Sequence, residues 1–90
     1  MNQKIIIESL AMDLKRVALG LYRGSNLMAD RFKKEALKRG LELENQEIAD
    51  YLKKLLAGCR KSLAVSSEKT AEDALMYSTL FQNYVLKNYK

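Results

Sequence analysis

No proline interrupts this chain, and its 90 residues hold only four glycines. Folds made of many short strands need both residue types at their corners, Gly to supply positive φ and Pro to preset a turn. A chain so poor in corner residues is left with few, long elements. Leu, Lys, Ala and Glu dominate, and these are strong helix formers. The elements expected are therefore helices.

Hydrophobic spacing divides the chain into four of them, over approximately 3–23, 26–39, 46–64 and 71–88. In the first, Ile7, Leu10, Leu14, Val17 and Leu21 recur at the alternating three- and four-residue spacing of a buried helical stripe. Gly24 is placed to stop it and Ser25 to cap the next helix. Met28, Ala29, Phe32 and Ala36 form the apolar face of the second, with Gly40 expected to end it. Asn45 is a plausible cap for the third, whose stripe is Ile48, Leu52, Leu55, Cys59 and Leu63. Gly58, inside this helix, invites close approach of another backbone. A polar loop over 66–69 follows, and Thr70 with Asp73 has the form of a capping box opening the fourth helix.

Ninety residues suit a single domain spanning 1–90, with little margin in its core. Short connections favour antiparallel neighbours, so the expected fold is all-α, an antiparallel up-down four-helix bundle. Cys59 is the only cysteine, which excludes an intrachain disulfide and fits a reducing, cytoplasmic setting. No uncharged stretch approaches the ~20 residues of a membrane span, and the first apolar run, Ile5–Ile7, breaks at Glu8 before it resembles a signal peptide.

The residues of this chain do not converge on a recognisable chemical site. The chain has no histidine, which removes the commonest general base and the commonest neutral metal ligand. One cysteine without histidine does not make a zinc site. Cys59 falls on an apolar stripe, as a core residue does. Glu42, Glu44, Glu47 and Asp50 cluster, but not at the spacing of a calcium loop, and a solvated connection accounts for them. Gly20 to Ser25 resembles a phosphate loop only superficially, lacking its lysine and following a helix. Arg23, Ser25 and Asn26 remain a weak anion site at a helix start. No catalytic constellation, metal or cofactor is expected.

Surplus apolar surface is more informative. Ile5, Met12 and Leu19 repeat every seven residues among Glu8, Lys15, Arg16 and Arg23, opposite the main stripe of helix one. On helix four, Ala74, Tyr77, Leu80, Phe81 and Tyr84 lie to one side, and Ala71, Leu75, Val85 and Leu86 to the other. Together they cover an arc of roughly 240°, far wider than one core-facing stripe. The expectation is a non-catalytic protein–protein interaction and assembly module, self-associating most simply as a homodimer through Ile5, Met12, Leu19, Tyr77, Leu80 and Tyr84. The net charge of +5 raises an alternative, a nucleic-acid-binding accessory protein. It would use Arg31, Lys34 and Lys38 of helix two with Lys54 and Lys61 of helix three, which make basic faces. A helix-turn-helix reading fails, because the helix that would serve for recognition opens on Glu44, Glu47 and Asp50, which phosphates would repel. No membrane partner is expected.

Overall fold

The computed structural model describes residues 2–65 and 69–89. It contains four helices in order: α1 (Gln3–Tyr22), α2 (Asn26–Glu44), α3 (Asp50–Ala64) and α4 (Thr70–Asn88). No strand occurs among the described residues, and no helix there is long and apolar enough to cross a membrane.

Local chemistry sets the first two helices. The Asn2 side chain accepts a hydrogen bond from the Lys4 N–H at 2.7 Å, taking up one of the donors a helix start leaves unpaired. At the far end Gly24 has φ +73°, the left-handed region that only Gly enters without steric cost. Its N–H donates to the Leu21 carbonyl and that of Ser25 to the Gly20 carbonyl, which closes α1. The Ser25 hydroxyl then accepts from the Met28 N–H at 3.3 Å, so one connection stops α1 and caps α2.

The second connection departs from the sequence expectation. Gly40 does not end α2, which runs on to Glu44. Continuing the helix buries Leu43 completely. That burial is worth about 2 kcal/mol, against about 1 kcal/mol for a glycine inside a helix. Asn45 accordingly closes α2, its N–H donating to the Leu41 carbonyl, and does not cap α3. Helix α3 starts at Asp50, four residues later than its apolar spacing suggests, after an extended Ala49 without a side-chain cap. The Glu47 carbonyl instead accepts from Gln3 Nε2 at 3.0 Å, and Gln3 Oε1 accepts from the Tyr89 hydroxyl at 3.0 Å. One amide side chain thus ties the α2–α3 connection and the end of the chain to the start of α1.

At the third connection, positions 66–68 of the expected polar loop lie outside the described residues. Thr70 is the first residue of α4, and its hydroxyl donates to the Val65 carbonyl at 2.8 Å. The capping box with Asp73 is not formed, because Lys69 holds the N-cap position.

Helix α1 packs closely on both α2 and α4, α3 packs on α4 and more sparsely on α2, and the diagonal pairs do not approach. The helices therefore surround the core in ring order. Ile6, Ile7, Leu10, Leu14 and Val17 from α1 meet Leu43, Leu52, Leu56 and Phe81 there. Ile6 widens the buried face of α1 beyond the stripe expected from spacing. Ser78 is buried with them, and its hydroxyl donates to the Ala11 carbonyl at 2.6 Å, so α1 and α4 are joined by a polar bond inside the apolar contact.

Candidate interaction groove between α2 and α3

The sparse packing of α2 on α3 leaves an open groove of about 230 Å³. Leu10 and Ala36 form its floor, Leu37, Gly40 and Leu41 one wall, and Leu56, Cys59 and Leu63 the other. Small residues at 36 and 40 cannot fill the space between the helices. Leu37 is 44% exposed and Leu41 59% exposed, so the α2 wall continues onto the outer surface. Arg60 and Glu44 form an ion pair across the rim. Cys59 is buried in the wall, and burial pushes its thiol pKa up to about 12. At neutral pH it is a protonated, apolar part of the lining, without the thiolate a nucleophile needs.

A wider hollow of about 510 Å³ lies between the start of α3 and the end of α4, lined by Ala49, Tyr51, Leu80, Asn83, Tyr84, Lys87 and Asn88. Its wall is aromatic. Tyr51 and Tyr84 stack with ring centroids 6.1 Å apart, and Tyr89 meets Tyr84 edge-on at 6.0 Å.

The proposed interface residues divide into two groups. Ile5, Met12 and Leu19 stand out on α1 at 50%, 49% and 37% exposure. Tyr77, Leu80 and Tyr84 are partly buried against the chain's own core. Tyr77 occupies the space above Gly58, where any Cβ would collide with its hydroxyl. Gly58 therefore admits a neighbouring side chain, not a neighbouring backbone. The wide apolar arc of α4 is largely explained by two neighbours, α1 and α3, with Leu75, Met76 and Leu86 left exposed.

All five basic residues, Arg31, Lys34, Lys38, Lys54 and Lys61, are exposed. They are divided between two helices, three on α2 and two on α3. The structure instead groups Arg31 with Arg16: their guanidinium carbons lie 5.7 and 5.2 Å from the centroid of the Phe32 ring. At the weak anion site, the Ser25 hydroxyl is engaged as the cap of α2, and Arg23 and Asn26 are exposed.

One polar cluster escaped sequence reasoning. Asp13 is only 4% exposed, and its Oδ2 accepts from Arg39 Nε at 2.9 Å. Arg16 lies 3.9 Å from its other oxygen. Burial raises the Asp13 pKa, against the lowering effect of the Arg39 hydrogen bond and the charges of Arg39 and Arg16. A signal was present: Asp13 falls between Leu10, Leu14 and Val17 on the buried arc of α1, where an unpaired acid would be costly. Its partner lies 26 residues away and has no periodicity to announce it.

Among the described residues, no group of three or more His, Cys, Asp or Glu side chains is placed to hold a metal ion. Comparison with known proteins finds no matching family model, and no curated protein or solved structure with significant similarity.

Proposed function

We propose that this protein is a non-catalytic interaction and assembly module that associates with itself, most simply as a dimer, within a reducing, cytoplasmic setting. The observation that carries the reading is the groove between α2 and α3, apolar on both walls and continuous with exposed leucines. Open apolar surface of this kind marks contact sites. The α1 ridge of Ile5, Met12 and Leu19 adds a second apolar surface at helical spacing. An antiparallel up-down bundle over a single domain of residues 1–90 is the framework we infer. It is supported by the meeting of Gln3 with Tyr89, Ala11 with Ser78, and Tyr51 with Tyr84.

Solution mass tests the reading directly. Light scattering on a size-exclusion column should give twice the chain mass of 10.3 kDa, with dissociation on dilution. A mass that stays at one chain up to about 1 mM, where even weak association of about −4 kcal/mol would show, removes self-association.

Binding to nucleic acid is the second reading. It is favoured by the exposure of Arg31, Lys34, Lys38, Lys54 and Lys61, none of which forms an ion pair among the described residues. It requires affinity for mixed-sequence DNA or RNA that falls steeply with salt. Absence of binding at about 50 mM salt eliminates it.

A further inference from the structure

The outer face of α2 carries an order that its core face does not explain. Leu27, Asp30, Lys34, Leu37, Leu41 and Glu44 follow one another at spacings of three, four, three, four and three residues. The spacing is that of a coiled-coil seam, with Leu27, Lys34 and Leu41 at one heptad position and Asp30, Leu37 and Glu44 at the other, but only the three leucines are apolar and the other three positions carry charge. All six are exposed. The lower half of this seam is also the α2 wall and rim of the groove, through Leu37, Leu41 and Glu44.

We propose that the occupant of this surface is α2 of a second copy of the chain, laid antiparallel across a two-fold axis. The inference rests on the self-association reading above and assigns it a site. Antiparallel helices pair one seam position with the other, and such pairs are self-complementary under two-fold symmetry. One register satisfies the whole lower seam. Leu37 lies opposite Leu41 of the second copy, and Leu41 opposite its Leu37, giving two apolar layers at the centre. Lys34 lies opposite Glu44 of the second copy and Glu44 opposite its Lys34, giving a layer of opposite charge at each end. The leucines close over the groove mouths, and each Glu44 stands between Arg60 of its own chain and a lysine of the other.

The Lys34–Glu44 match favours a second α2 over the α1 ridge as occupant, although exposed Lys38 of each copy flanks the two-fold axis. Ile5, Met12 and Leu19 are flanked by Lys15, Arg16 and Arg23 as well as Glu8. Laid against Lys34, that ridge would oppose like charges, whereas α2 against itself matches Lys with Glu in both directions.

Equilibrium light scattering or sedimentation of the full chain, from about 1 µM to 1 mM, tests the assignment. The wild type should dimerise. Leu41→Glu should weaken the dimer at least about tenfold, by placing a charge in the apolar layers. Lys34→Glu should weaken it by a similar factor, because it faces Glu44 of the other chain, and adding Glu44→Lys in an Arg60→Ala background, which removes the cation that Glu44 pairs with in its own chain, should restore it. Circular dichroism checks that each variant stays helical. If Leu41→Glu unfolds the chain, the Lys34 and Glu44 exchange at exposed positions decides alone. A dimer indifferent to Leu41→Glu and Lys34→Glu but dissociated by Met12→Glu with Leu19→Glu would overturn the α2 pairing while leaving self-association standing. A monomeric wild type would overturn both.

Discussion

Helix α2 is packed very differently on its two sides. Against α1 the approach is close: a Cβ on Gly20 would lie 2.9 Å from the Ala29 backbone nitrogen, and Asp13 and Arg39 bond across the same contact. Against α3 the contact is sparse, and a Cβ on Gly40 would meet only Leu56, at 3.8 Å. Both contacts use glycine and alanine on α2 or its partner, so residue size alone does not set the spacing. The connections do. Arg23, Gly24 and Ser25 hold α1 and α2 together with backbone bonds and a cap. The 45–49 connection is extended at Ala49 and tied to α1 through Gln3, which holds the chain entering α3 away from α2. Small residues under a short, bonded turn give close packing. The same residues under a diverted connection leave a groove.

The largest test of this contrast lies at the buried pair. Arg39→Ala should cost about 3 kcal/mol in denaturant unfolding, because it leaves Asp13 buried without its bonded partner. The loss should depend on pH. Asp13 already has a folded pKa above its ordinary 3.8, so the stability linked to its protonation is fully present below 3.8 and is lost as pH rises through the folded value. Removing Arg39 takes away a group that lowers that pKa, and the deficit should be greater at pH 7 than near pH 4. An equal deficit at both would show that Asp13 does not carry the charge assigned to it.

Gly20→Ala comes next, at about 2 kcal/mol, since the added methyl meets backbone and forces α1 and α2 apart. A neutral result in thermal or urea unfolding would mean the α1–α2 contact is looser than it appears. The smallest effect belongs to the open side. Arg60→Ala removes the rim pair with Glu44, but the Arg60 side chain is 58% exposed, and such pairs contribute under about 1 kcal/mol. A loss as large as that of Arg39→Ala would mean that the rim pair, and not the core, holds α2 to α3.

The four helices were readable from spacing because each has a stripe long enough to outvote local exceptions, and Gly24 with Ser25 was readable because turn and cap chemistry acts over neighbouring residues. Gly40 and Asn45 were misread for the same reason. Their local preferences favour a helix end, and only the burial of Leu43 shows why α2 continues. The groove was not legible, since it depends on where the α2–α3 connection sends the chain. Neither was the Asp13–Arg39 bond as a pair, although the oddity of Asp13 on an apolar arc was.

Composition and periodicity by themselves determined the class of structure: helices without proline, four in number, with histidine-dependent chemistry excluded. They also determined where surplus apolar residues fall, including the α1 ridge. The tertiary structure decided which of those residues stay outside. Tyr77 and Tyr84 turn into their own bundle because Gly58 and Tyr51 on α3 receive them, while Leu37 and Leu41 remain exposed because none of the described helices covers that flank of α2. Periodicity acts along one helix and records which residues share a face. What meets that face is set by contacts between residues far apart in sequence, and these exist only once the chain has packed.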